Sequence, residues 1–157
     1  MNATPLIASV LAAMRVHRLE AVMIGNAAAA IHGAPVTTLD VDFMFRDTAL
    51  NLKRLKAVSR DLKAVIMRPY YPVSKLYRLV NDECGLQADF MPVIHGVRSF
   101  PSLKSRAVKR IVGGEETWLA SLEDIIKSKR SACRLRDQAV IPILEQTLHA
   151  LQKNKDR

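Results

Sequence analysis

The stretch Ile24-Gly25-Asn26-Ala27-Ala28-Ala29-Ala30-Ile31-His32-Gly33-Ala34-Pro35-Val36-Thr37-Thr38-Leu39-Asp40-Val41-Asp42 decides the fold. The apolar run 21–24 stops at Gly25 and reads as a buried strand. The alanine-rich residues 26–32 then read as a short helix ending at Gly33. After the turn Gly33-Ala34-Pro35, residues 37–45 alternate. Leu39, Val41, Phe43 and Phe45 share one face of a strand, and Thr38, Asp40, Asp42 and Met44 share the other. Two carboxylates two residues apart on a strand lie roughly 6–7 Å apart at the backbone, close enough to share a hard cation.

Outward from that stretch, residues 5–18 carry apolar side chains at helical spacing behind an Asn-Ala-Thr-Pro start. Residues 48–63 form an amphipathic helix with Leu50, Leu52, Leu55 and Val58 inward, and 64–67 a short strand. Strands at 75–80 and 86–93 flank Asn81-Asp82-Glu83-Cys84-Gly85 as a hairpin, and 105–119 holds another turning at Gly113-Gly114. Ser121 and Asp124 have capping-box spacing before a helix over 121–132. A last helix covers 136–152, with Pro142 as a kink or a first turn, and 153–157 fray. The fold class is α/β (α+β): a small mixed or antiparallel sheet flanked by helices. The chain reads as a single domain over 1–157, with its core at about 19–119 and C-terminal helices at about 121–152.

Asp89 is the candidate third carboxylate. It stands in the apolar strand Leu86-Gln87-Ala88-Asp89-Phe90-Met91, where an unpaired acid is costly to bury, and parity puts Gln87, Asp89 and Met91 on one face. An Asp-x-Asp alone is equally well a solvated strand edge, in which case Asp89 lies far from the pair. Gly25, where a strand gives way to a helix, lets a phosphate approach backbone N–H groups.

Together these residues resemble the nucleotidyltransferase superfamily, with the DNA polymerase β-like fold, and within it the AbiEii group of toxin-type bacterial enzymes. Gly25, His32-Gly33, Thr38, Asp40 and Asp42 match a Gly-rich helix start, a His-Gly turn and a metal-binding Asp-x-Asp strand. Leu122 to Ile126 with Lys129, Arg134 and Asp137 is similar to the group's helical segment, where a lysine faces the site. The resemblance implies a metal-dependent enzyme that transfers an NMP group from an NTP to an acceptor hydroxyl. Asp40, Asp42 and Asp89 would be catalytic and would hold Mg2+ or Mn2+. Gly25, Asn26, Thr38 and Lys129 would contact the nucleotide. The acceptor would be tRNA or another nucleic acid, and a toxin-type role would bring an antitoxin protein as partner. Asn26 replaces a second Gly or Ser, Val36 an Arg and Val140 an Asp, which keeps open a catalytically degenerate basic module that binds nucleotide, nucleic acid or protein.

Composition narrows the partners. Lys plus Arg (24) exceed Asp plus Glu (15), giving a net charge of +9 that favours polyanions. No stretch is long and apolar enough to span a membrane and the start lacks a secretory n-region, so cytoplasmic residence is expected. Cys84 and Cys133 read as reduced thiols, and neither His32 nor His95 has metal-site spacing. Lys129, beside Lys127 and Arg130, reads from the residues alone as a solvated cation, and Arg134 and Asp137 as an i,i+3 pair. Tyr70, Tyr71 and Tyr77 among Arg68, Lys75 and Arg78 read either as a stacking surface for RNA or as a packed loop. The run Lys104, Arg106, Lys109 and Arg110 has the same two readings.

Overall fold

A computed structural model describes residues 3–68 and 75–157. Tyr70 and Tyr71 lie outside the described residues. The chain order is α1 (Thr4–His17), β1 (Ala21–Ile24), α2 (Gly25–Ile31), β2 (Val41–Phe45), α3 (Ala49–Asp61), β3 (Val65–Met67), β4 (Tyr77–Asn81), β5 (Leu86–Met91), α4 (Phe100–Arg106), β6 (Val108–Val112), β7 (Glu115–Leu119), α5 (Leu122–Ala132) and α6 (Leu135–Lys155). The strands form one mixed sheet of seven in the order β3-β4-β5-β2-β1-β7-β6. β2 runs antiparallel to β1 and parallel to β5, so the acidic strand is central and not the solvated edge that the Asp-x-Asp pattern also allowed.

Burial follows from that position. Val41, Phe43 and Phe45 are buried as their alternation requires, and Phe43 stacks on its register partner Phe90 with centroids 4.8 Å apart. Met44, on the other face, is buried too, because a central strand covered on both sides loses the polar-out alternation. The expected strand over 37–45 is shorter, and Asp40 sits in a bend just before it. Thr38 Oγ1 lies 2.8 Å from the Asp40 carbonyl and 3.0 Å from its Oδ1, a local turn that competes with ladder pairing. Leu39, expected inward, is consequently 99% exposed.

The helix over 48–63 appears as α3 with a different inward face. Thr48 caps it by accepting from Asn51 N, which fixes the phase so that Asn51, Leu55 and Val58 point inward and Leu50 outward. Asn51 is fully buried: its Oδ1 accepts from Glu20 N, and its Nδ2 donates to the carbonyls of Glu20 and Arg46. One side chain thereby ties the start of β1 and the end of β2 to α3. This anchors the central pair of strands from the end away from the carboxylates.

Both expected hairpins form, β4–β5 and β6–β7, the second turning at Gly113-Gly114 with φ of 58° and 84°. Residues 100–106 are helical: Ser99 caps α4 by accepting from Ser102 N, and Pro101 occupies its first turn. Ser121 caps α5 through Asp124 N as its spacing predicts. The Asp124 carboxylate, however, takes Arg106 of α4 at 2.8 and 3.1 Å and does not close a reciprocal box. α6 continues through Pro142, which forfeits the bond to the Gln138 carbonyl, and it runs to Lys155 where fraying was expected. No described helix is long and apolar enough to cross a membrane.

Candidate active site

The antiparallel register Ile24↔Asp42 and the parallel register Asp42↔Asp89 bring three segments to one point on the sheet. Asp40, from the bend, joins them. Each of Asp40, Asp42 and Asp89 offers a carboxylate oxygen, and the three oxygens lie within 4.8 Å of one another. They open on a cleft of about 1100 Å3. Gly25, Asn26, Thr38 and Lys129 also line it, so every residue singled out for the site by sequence borders the same cavity.

The carboxylates are held differently. Asp40 accepts from Thr38 Oγ1 at 3.0 Å and from Gln87 Nε2 at 3.2 Å. Asp89, buried, is gripped by Arg78 from the neighbouring strand, Nε to Oδ1 and Nη2 to Oδ2, both 2.8 Å. Among the described residues the Asp42 carboxylate makes no side-chain hydrogen bond and no ion pair within 4.0 Å, although its backbone is paired on both sides in the sheet. Its pKa is pushed up to about 7, first by burial and then by the charges of Asp40 and Asp89, with Lys129 and Arg136 pulling the other way. A half-buried carboxylate repelled by two neighbours and lacking a partner is an oxygen donor set that suits a hard divalent cation. With Asp89 already paired to a guanidinium, Asp40 and Asp42 are the two ligands a cation would neutralise most.

Gly25 is required here on two counts. Its φ is +68°, and a Cβ on it would stand 2.8 Å from Asp42 Oδ2. Gly25→Ala is expected to cost about 1–2 kcal/mol for the left-handed backbone. It also pushes the Asp42 carboxylate out of line, so urea unfolding should shift and Mn2+ affinity should fall together. Unchanged Mn2+ affinity in a destabilised variant would show that Asp42 does not need this approach. Asn26, the replacement for a second glycine or serine, has its Oδ1 buried beside the cleft with no hydrogen-bond partner among the described residues. Val36 and Val140, the other two departures, pack against the core.

Lys129 lies at the cleft, but its Nζ binds Asp137 Oδ1 at 2.9 Å with both side chains nearly buried, so it is not a solvated surface cation. Arg134 forms the expected i,i+3 pair with Asp137 only loosely, Nε to Oδ2 at 4.0 Å, while Lys129 holds the other oxygen at 2.9 Å. His32 Nε2 donates to the Ala120 carbonyl at 2.8 Å, the helix-end role its position predicts. Tyr77 is edge-on to Phe45 at 5.8 Å with Arg68 over its ring at 4.6 Å, so it packs and does not stack freely. The basic run near residue 106 divides: Lys104 lies over Trp118, Lys109 faces Glu116, and Arg106 holds Asp124. Parity put Gln87 beside Asp89 without giving it a role, Arg78 was read only as part of a tyrosine-rich patch, and Arg136 and the Arg106–Asp124 link had no reading at all.

No protein-family model matches the chain, and no curated protein matches it in sequence. Solved structures do match in shape. ANT(2'')-Ia in complex with adenylyl-2''-tobramycin superimposes with a TM-score of 0.68 and 16% identity, over 97% of this chain and 92% of that one. The lincosamide antibiotic adenylyltransferase LnuA, bound to lincomycin, gives 0.65 and 12% over 90% and 95%. JHP933 from Helicobacter pylori gives 0.53 and 16% over 90% of this chain and 64% of that one. The mixed sheet flanked by helices is therefore the nucleotidyltransferase fold.

Proposed function

We propose that the protein is a nucleotidyltransferase that moves an NMP group from an NTP to an acceptor hydroxyl and releases pyrophosphate. The observation that carries this reading is the cluster of Asp40, Asp42 and Asp89 within 4.8 Å of one another on the wall of the cleft, on a fold shared with adenylyltransferases.

In this reading the triphosphate lies along Gly25 and Asn26, with Lys129 and Arg136 supplying positive potential from the α5–α6 side. A divalent cation between Asp40 and Asp42 would offset triphosphate charge and polarise the phosphoryl group. Thr38 and Gln87 hold the Asp40 carboxylate in place. Asp89 orients the acceptor hydroxyl and takes its proton on a carboxylate oxygen as the new O–P bond forms and the bond to pyrophosphate breaks.

Charge also bears on the acceptor. Apart from Asp40 and Asp42, each acid lining the cleft is already spoken for: Asp89 by Arg78, Asp124 by Arg106, Asp137 by Lys129. Residues 69–74 of the sequence add no charge. With a divalent cation on Asp40 and Asp42, a polycationic acceptor such as tobramycin would find no carboxylate lining the cleft free for its ammonium groups. With a net charge of +9, the chain instead suits a nucleic acid, and the resemblance to toxin-type enzymes makes tRNA the first acceptor to try.

The test is transfer of label from α-labelled NTPs with Mg2+ or Mn2+, offered total tRNA, total RNA and tobramycin in parallel. Labelled RNA with unlabelled tobramycin is the expected pattern. Labelled tobramycin would overturn the acceptor reading and leave the enzyme reading standing. No label on any acceptor, with no metal-dependent NTP binding, would favour a binding module without chemistry.

A further inference from the structure

The acidic cluster carries its own resident cation. Arg78 stands opposite Asp89 in the β4–β5 register, and its planar fork takes both Asp89 oxygens at 2.8 Å. A bidentate grip fixes the carboxylate plane, which a single bond would leave free to rotate. It uses one lone pair on each oxygen and leaves the other for a further partner. The guanidinium is not sealed away: its side chain is 37% exposed against 7% for Asp89, and it lines the cleft. Asp40 and Asp42 add to the field it feels after Asp89 itself.

We propose that Arg78 is the positioning residue for Asp89, and that its charge lowers the affinity of the cluster for a divalent cation in exchange for that orientation; the proposal rests on the nucleotidyl-transfer reading above. The two effects have opposite signs on removal. Without Arg78 the cluster regains a full unit of negative charge and attracts a cation more strongly. At the same time Asp89 loses the fork that aims it, and misplacing a group that acts on the reacting atoms costs rate far more than it costs nucleotide binding.

The experiment uses the full chain with Arg78→Gln and Arg78→Lys, reading Mn2+ affinity by calorimetry or electron paramagnetic resonance and steady-state kinetics for the NTP. Arg78→Gln is expected to bind Mn2+ about tenfold more tightly. Its kcat should fall about 100-fold, with KM for the NTP within about threefold of wild type. Arg78→Lys keeps the charge without the fork, so Mn2+ affinity returns to near wild type while kcat stays low. Weaker or unchanged Mn2+ affinity in Arg78→Gln would mean that Arg78 only braces the fold, and kcat restored by lysine would mean that charge alone matters; either overturns the proposal. Should Arg78→Gln fail to fold by circular dichroism, Arg78→Lys alone decides: full kcat overturns the proposal and low kcat at wild-type Mn2+ affinity supports it. A wild-type chain that transfers no nucleotide counts against the function, and the Mn2+ measurement then judges Arg78 by itself.

Discussion

Asp42→Asn is expected to lower nucleotidyl transfer by at least about 1000-fold, the scale on which a charged group acting only in the transition state is felt. Asp42 is the carboxylate of the cluster with no side-chain partner among the described residues, at the point where β1, β2 and the Gly25 turn converge. Its replacement leaves shape and hydrogen-bonding capacity close to native and removes one charge from the pair facing the cation. Asp40→Asn should behave alike. Its loss should be somewhat smaller in NTP binding, since Thr38 and Gln87 still hold the side chain. The check is single-turnover transfer at saturating Mn2+ and NTP, with circular dichroism to confirm the fold. Transfer within about tenfold of wild type in Asp42→Asn would remove Asp42 from the chemistry.

The same substitution should stabilise the metal-free protein, and the gain should depend on pH. Asp42 has a folded pKa of about 7 against an ordinary value of 3.8. The folded state therefore holds a proton that the unfolded chain has released between about pH 4 and pH 7, and stability falls as pH rises across that window. Above pH 7 the full penalty applies, on the order of 4 kcal/mol. Below pH 4 it vanishes. Asp42→Asn carries no such charge, so urea unfolding in chelator at pH 8 should show it more stable than wild type, and the two should converge at pH 4. Added Mn2+ should stabilise the wild type at pH 8 and do little for the variant. Parallel stability curves from pH 4 to 8 would show that Asp42 is not strained. A residue that costs stability where it is needed for function is the ordinary pattern of an active site.

The legible and illegible parts of the molecule divide along physical lines. The 21–45 segment could be read because a glycine at a strand end and two alternating aspartates are local signals, and Gly25 turned out to be required by both its φ and its approach to Asp42. Parity likewise placed Gln87 and Asp89 on one face, and the two do meet the Asp40–Asp42 pair. Arg78 escaped for want of one residue of register. A five-residue loop over 81–85 sets Tyr77 against Asp89, whereas the pairing of Asn81 with Leu86 sets Arg78 there, and a one-residue slip in a hairpin moves every side chain to the other face. The Arg106–Asp124 and Lys129–Asp137 pairs were illegible for another reason, since each joins elements whose packing no local pattern encodes. The helix at 100–106 did have a local signal in Ser99-Phe100-Pro101, a cap followed by a first-turn proline. The burial of Asn51 had none, because a polar residue on an apolar helix face is explained only by the two strand ends it ties.

The most direct measurement is anomalous diffraction from crystals grown with Mn2+ and a non-hydrolysable NTP analogue. The account predicts a Mn2+ peak bound by Asp40 and Asp42, with the triphosphate running past Gly25 and Asn26 and Asp89 still forked by Arg78. A cleft that holds no Mn2+ between Asp40 and Asp42, with the analogue absent or bound elsewhere, would contradict it.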